Sequence, residues 1–246
     1  WATIGARGFL VLVLVTWVLM SKQTRAFGVR RWTSAPSHRE FLRVGGAAAL
    51  SQAAEASAFS GMTIIAGRSG GEAVASYQIL LNLLAVVFMI SLGVSTATTV
   101  LTSEGIGRAT PREASRASWT GLGLNSGLMA IIATALLCCA HAVAHAYTRD
   151  LRIAALVAGA MPLAAAVLLP DGGQVVTAAA LRAHGDNWFP TASHVVAYAF
   201  VMPALGVGLC EVAGLGVPGL LQAILWSSLL SASVLTARLW VITRRV

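Results

Sequence analysis

The chain has 246 residues, of which 57% are hydrophobic and 11% are charged, with a formal net charge of +8 and a mean hydropathy of +0.77. A soluble domain carries about 25% charged residues because its surface is hydrated, so the composition excludes an ordinary soluble domain and predicts a surface that faces lipid. The basic residues collect in short loops between apolar segments, without a basic stripe or interleaved aromatic residues, which argues against nucleic-acid binding.

The apolar segments predict an all-α membrane protein with seven transmembrane helices. A span needs about 20 apolar residues, and helices are favoured because no backbone polar group can stay unpaired in hydrocarbon. The alternating ten-residue segments of an outer-membrane barrel do not occur in this sequence. In chain order, the predicted spans are residues 4–20, 44–66, 74–102, 119–146, 153–180, 191–209 and 215–240.

The longest polar stretch separates the first span from the other six. We therefore divide the chain into a first helix at residues 1–20, a cytoplasmic linker at 21–43 and a six-helix domain at 44–246. The sequence begins at Trp1 without a methionine or a basic segment before its first apolar run, which is not typical of a signal peptide. We expect this beginning to lie in the middle of a larger protein.

The loops that follow the first, third, fifth and seventh spans hold 13 of the 17 basic residues. Because basic residues accumulate in cytoplasmic loops, these loops are predicted to be cytoplasmic. The prediction puts the C-terminus inside the cell and the N-terminus outside.

Two acidic residues lie inside predicted spans, whereas the other seven fall in loops or at span ends. Glu55 lies in the middle of the second span, and Asp171 lies inside the fifth. A carboxylate at this depth costs about 2.5–3.5 kcal/mol on insertion scales, and such residues usually mark an ion or substrate pathway. The pair predicts an ion-coupled transporter, and the structural alternative is an acid held neutral by hydrogen bonds at a helix interface.

Four amide side chains share helix faces with these acids or with one another. Gln52 precedes Glu55 by three residues, and Gln174 follows Asp171 by three. In the third span, Gln78 and Asn82 are four residues apart. These amides are candidates for lining a hydrated substrate pathway, or alternatively for joining helices by hydrogen bonds worth about 0.6–2 kcal/mol each.

Prolines and glycines surround the second acid. Pro162 and Pro170 lie in the fifth span, and Gly172 and Gly173 follow Asp171 directly. Because proline removes a backbone donor, it frees a carbonyl that can offer an oxygen to an ion. A simple packing kink remains the alternative.

The histidines and cysteines favour no metal site. His141 and His145 have the i, i+4 spacing of metal ligands, but no glutamate follows the first and no third ligand is evident. Cys138, Cys139 and Cys210 form no disulfide framework and are interpreted as packing residues.

Four stretches carry a more specific pattern. They are Glu55 in the second span; Gly67-Arg-Ser-Gly with Ala75-Ser-Tyr-Gln-Ile-Leu-Leu-Asn82; Glu104-Gly-Ile-Gly-Arg with Pro111-Arg-Glu-Ala; and Asp171-Gly-Gly-Gln-Val-Val with Leu181-Arg-Ala-His-Gly-Asp-Asn-Trp-Phe-Pro-Thr191. Together they resemble the multidrug and toxic compound extrusion (MATE) family, in its NorM-like branch. The resemblance covers essentially the whole chain.

The resemblance implies an architecture and an activity. Residues 1–20 would be the last helix of a missing N-terminal lobe, 21–43 the linker between the lobes, and 44–246 the six-helix C-terminal lobe. Family members have two such lobes and twelve helices. They export cationic, amphipathic drugs across the bacterial inner membrane in exchange for H⁺ or Na⁺, without another cofactor, so the implied partners are drugs, the lipid bilayer and the N-terminal lobe.

The resemblance also assigns roles to residues. It implies ion coupling at Glu55 and Asp171, which would be metal ligands only if the coupling ion is Na⁺, and it gives Gln78 and Asn82 to the substrate pathway. Relatives that use Na⁺ have a tyrosine four residues before the second acid, where this chain has Val167. This difference favours H⁺.

Three other functions are alternatives to the exporter. A membrane-embedded enzyme needs a nucleophile, a metal set or a His/acid constellation at the bilayer edge, and none is evident, so no enzyme activity is expected. A lipid-linked oligosaccharide flippase of related architecture needs basic residues in the middle of a span, and the sequence has none there. The third alternative is an inactive, truncated transporter.

Overall fold

A computed structural model describes residues 2–21 and 38–244, and these residues are almost entirely helical. The helices, in chain order, are α1 (Ala2–Met20), α2 (His38–Arg68), α3 (Gly71–Gly107), α4 (Pro111–Cys138), α5 (Ala140–Tyr147), α6 (Leu151–Ala183), α7 (Trp188–Val212) and α8 (Val217–Arg244). The chain divides into two compact units, Trp1–Val44 and Gly45–Val246.

Five of the described helices are long and apolar enough to cross a membrane: α3, α4, α6, α7 and α8. The shorter helix α1 is apolar over Ile4–Met20, and α2 is not among the five because polar residues such as Gln52 and Glu55 interrupt it. The expectation of an all-helical membrane protein is therefore confirmed, whereas the count of seven spans stays a prediction.

Two predicted boundaries differ from the structure. Helix α2 already begins at His38, so residues 38–43 of the predicted linker are helical, and residues 22–37 of that linker lie outside the described residues. The predicted span 119–146 is interrupted at Cys139, which separates α4 from α5. An apolar run continues through this interruption, so hydropathy alone does not reveal it.

Helix α6 lies at the centre of the second unit and packs against α3, α4 and α8. Its first turn is capped by the Asp150 carboxylate, which accepts hydrogen bonds from the backbone N–H groups of Arg152 and Ile153. Small residues let neighbouring helices approach α6 closely, as is usual in membrane bundles. At Gly172, a Cβ atom would lie 2.5 Å from Ser91 Oγ and 2.8 Å from Asn125 Nδ2.

Helix α7 is not a regular α-helix. It contains two π-helical segments, Val195–Val201 and Gly208–Val212, on either side of the α-helical stretch Met202–Val207. A π segment inserts an extra residue per turn and rotates the side chains that follow, and such segments are frequent at functional sites. Tyr198, which is fully buried, lies in the first of them.

Candidate functional site

Glu55 and Asp171 line the same cavity, which has a volume of about 240 Å³. The two acids come from α2 and α6, and both side chains are half-buried. The other lining residues are apolar, and two are aromatic: Phe59, Leu81, Leu84, Ala85, Phe88, Val167 and Ile224. The cavity therefore combines two carboxyl groups with an apolar wall, and its lining contains no basic residue.

One oxygen of Asp171 is surrounded by hydrogen-bond donors from three helices. Oδ1 accepts hydrogen bonds from Gln174 Nε2 at 3.0 Å, from Ser228 Oγ at 3.0 Å and from Tyr198 OH at 3.3 Å. Gln174 Nε2 also contacts the Tyr198 hydroxyl, which lies 3.3 Å from Ser228 Oγ. The network fixes the orientation of the carboxyl group, and Oδ2 has no hydrogen-bond partner among the described residues.

The local sequence of α6 explains how Asp171 comes to this position. Pro170 cannot donate the hydrogen bond that the carbonyl of Ala166 would accept in a regular helix, so the helix is weakened one residue before the acid. Gly172 then allows α3 and α4 to approach behind it. Asp171 therefore lies between the proline that weakens the helix and the glycine of this tight contact.

The surroundings of Glu55 are different. Glu55 lies close enough to both Asp171 and Arg182 for their charges to interact. Arg182 Nη2 donates a hydrogen bond of 3.1 Å to Ser51 Oγ, one turn before Glu55, and Ser51 Oγ in turn contacts His194 Nδ1. Arg182 Nε and His194 Nε2 are buried and have no hydrogen-bond partner among the described residues. Arg182 is therefore a cation held near Glu55 but outside the lining of the cavity.

Of the four predicted amides, only Gln174 forms a hydrogen bond with one of the two acids, Asp171. Gln78 donates to Thr63 Oγ1 at 3.1 Å, and Asn82 accepts a hydrogen bond of 3.0 Å from Tyr147 OH. Both side chains, like that of Gln52, are exposed and do not line the cavity. The substrate-pathway role of these three amides stays a prediction.

Sequence reasoning missed Tyr198, Ser228 and Arg182. Tyr198 and Ser228 lie in apolar segments in which a single hydroxyl gives no distinctive signal, because serine and tyrosine are common in membrane helices. The predicted span 153–180 leaves Arg182 in the following cytoplasmic loop. In the structure, Arg182 lies in the last turn of α6 and its side chain reaches α2.

The described residues contain no group of three or more His, Cys, Asp or Glu side chains that could hold a metal ion. His141 and His145 both lie in the short helix α5, and both side chains are exposed.

A sequence model of the family MatE matches residues 47–207. The chain is 38% identical over 240 residues to a probable multidrug resistance protein NorM of Caulobacter vibrioides, covering 97% of this chain and 51% of that protein. A protein of the same name from Xanthomonas axonopodis pv. citri is 36% identical over 61% of this chain and 33% of its own length. The chain thus spans about half, or less, of the curated relatives it matches.

The fold is similar to that of solved transporters. The crystal structure of the eukaryotic MATE transporter AtDTX14 has a TM-score of 0.84 at 16% sequence identity, covering 93% of this chain and 52% of that chain. A MOP superfamily transporter from Pyrococcus furiosus has a TM-score of 0.82 at 17% identity, covering 94% of this chain and 53% of that one. At these identities the similarity concerns the fold alone.

Proposed function

The chain belongs to the MatE family, and from this premise we propose that it is the C-terminal lobe, with one preceding helix, of a secondary multidrug exporter. The exporter moves cationic, amphipathic compounds out of the cell. It is driven by an inward ion gradient across a bacterial inner membrane. The relatives cited above are named as probable multidrug resistance proteins, and no enzyme activity is part of the proposal.

One observation carries the proposal: Glu55 and Asp171 meet in a single cavity with an otherwise apolar and aromatic wall. Carboxyl groups supply negative charge for a cation, and the faces of Phe59 and Phe88 are favourable neighbours for a drug cation because of their ring quadrupoles. A basic lining, which a pyrophosphate-carrying flippase requires, is not found in the cavity. The lining therefore supports a cationic substrate over the flippase alternative.

Export follows from competition between ion and drug for the same two acids. Proton or cation binding at Glu55 and Asp171 favours one conformation of the protein, and drug binding favours the other, so the two ligands are linked thermodynamically. Val167, which lines the cavity, supplies no oxygen where Na⁺-linked relatives have a tyrosine. We infer that H⁺ is the coupling ion.

Dye transport into everted membrane vesicles tests this proposal. The full-length protein is placed in everted vesicles with a fluorescent cationic dye, and a pH gradient and a Na⁺ gradient are imposed separately. Dye transport driven by the pH gradient alone is the expected result. Transport driven only by Na⁺ would refute the inferred ion, and transport driven by neither gradient would refute the exporter.

A further inference from the structure

A second cavity lies where α4 begins and α8 ends. It has a volume of about 520 Å³ and is lined by Arg112, Ser115, Arg116, Trp119, Thr120 and Thr243. Trp119 Nε1 donates a hydrogen bond of 3.2 Å to Thr243 Oγ1 and so ties α4 to α8 beside the cavity. None of these residues belongs to the cavity that contains Glu55 and Asp171.

Arg112 and Arg116 place two positive charges on the wall of this cavity. Neither Arg112 nor Arg116 forms an ion pair within 4 Å with any described residue. The nearest acid in sequence, Glu113, accepts a hydrogen bond of 2.8 Å from Thr110 Oγ1. Arg244 adds a third cation at this end of the bundle, where its guanidinium stacks 3.7 Å from the centre of the Trp240 ring. The cavity therefore suits an anion.

An apolar groove begins where this cavity ends. The groove has a volume of about 480 Å³ and lies between α3 and α4, and Arg116 and Thr120 line both it and the basic cavity. Its wall also includes Glu113 and, among its apolar residues, Ala97, Leu101 and Leu124. Leu101 and Leu124 are 56% and 57% exposed, as expected for residues that face acyl chains.

We propose that the basic cavity and the apolar groove together bind one anionic phospholipid. Its phosphate lies between Arg112 and Arg116, with the hydroxyls of Ser115 and Thr243 within the same cavity, and one acyl chain follows the α3–α4 groove. Arginine is well suited to phosphate because its planar guanidinium presents several donors at once, and tryptophans beside the cavity match the headgroup layer of a bilayer. A free phosphate would leave the groove unused, so the lipid explains both features.

Native mass spectrometry of the purified protein tests the proposal, with phosphatidylglycerol and phosphatidylcholine added in equal amounts. Preferential retention of phosphatidylglycerol is expected. In the double variant Arg112→Gln, Arg116→Gln, the preference should fall about fivefold per arginine, or about twenty-five-fold in all. The matched control is Arg149→Gln, Arg152→Gln, which removes the same charge from the residues around the beginning of α6 and should keep the preference.

A further variant and a competitor separate lipid from phosphate. Ala97→Trp fills the groove without changing the charge, and it should weaken the retention of phosphatidylglycerol although both arginines remain. Inorganic phosphate at an equal concentration should not displace the lipid. An undiminished preference in the arginine double variant, an equal loss in the control, full retention in Ala97→Trp, or displacement by inorganic phosphate would each overturn the proposal.

Discussion

At the scale of single residues, Asp171 has the most elaborate environment of the site. Donors from its own helix, from α7 and from α8 converge on a single carboxyl oxygen, and the fully buried amide of Gln174 is one of them. Buried donors have lost their hydrogen bonds to water and need protein acceptors instead. An apolar residue at this position would leave these three donors without that acceptor. Within the described part of the chain, Glu55 has no comparable donors, and it lies instead near the charges of Asp171 and Arg182.

Removing either acid is expected to abolish transport without abolishing folding. Glu55→Gln and Asp171→Asn keep the size of the side chain and much of its hydrogen bonding, but they cannot release a proton or bind a cation. Each full-length variant should reach the membrane at near-normal levels and lose gradient-driven dye efflux. The loss should exceed that of Gln78→Ala or Asn82→Ala, whose side chains lie outside the cavity. Full ion-coupled efflux by the double acid variant would contradict the assignment.

The two buried tyrosines provide a matched comparison. Tyr198→Phe removes a hydroxyl that donates to Asp171, and losing such a bond to a carboxyl group should cost about 1.5–3 kcal/mol of stability. Tyr77→Phe removes a hydroxyl that is buried without a partner among the described residues, so it should be neutral or slightly stabilising. Thermal unfolding in detergent measures both variants. Equal effects would show that the Asp171 bond contributes no specific stability.

At the scale of elements, α6 determines the geometry of the site. It supplies Asp171 and Gln174, contacts the helices on several sides and carries Pro162 and Pro170 in its interior. The sequence predicted the weakened helix around the acid, and the structure adds the reason for the glycines that follow. A Cβ at Gly172 would overlap side chains of both α3 and α4, whereas Gly173 has ordinary space around it.

The adjacent glycines should respond differently to alanine. A Cβ at Gly172 would meet Ser91, Asn125 and Met129 at 2.5–3.1 Å, whereas one at Gly173 would lie 3.7 Å from Leu122 Cδ1. Gly172→Ala is expected to cost about 1–3 kcal/mol through overpacking. Gly173→Ala should be neutral or stabilising by up to about 1 kcal/mol, because alanine favours a helix. Melting temperatures of the two variants check this order, and the reverse order would contradict the packing.

At the scale of the whole molecule, the proposed exporter contains a partner lobe that this chain does not include. The other apolar helices bury much of α6, but large apolar side chains of the bundle stay exposed, including Ile131 at 69% and Phe200 at 67%. Exposed apolar side chains are normal on a surface that faces lipid. The distribution of basic residues is the basis for orienting this bundle in the membrane.

Topology can be measured with two labels. In a variant whose native cysteines are replaced, Ser69→Cys lies between α2 and α3 and should react with an impermeant reagent from the periplasm. A tag placed after Val246 should be reached only from the cytoplasm. Labelling of both positions from the same side would refute the orientation and the count of seven spans.

Expressed without the rest of the protein, the chain should insert into the membrane but confer no drug resistance. Substrate is expected to pass between two lobes, and one lobe supplies only half of that pathway. Drug susceptibility of cells that lack other exporters measures this, with the full-length protein as the positive control. Resistance from the chain alone would instead indicate that two copies assemble into a transporter.

The sequence by itself determined the class of the protein, its helical content and the two acids of the site. These follow from local properties: apolar runs of membrane length, the scarcity of charge, and the cost of placing Glu55 and Asp171 inside those runs. Only the tertiary structure decided which polar groups meet. Tyr198 and Ser228 are 27 and 57 residues from Asp171 in the chain, and their contact depends on how α7 and α8 pack against α6. The break at Cys139 and the π segments of α7 were likewise visible only in the structure, because the apolar runs continue through both.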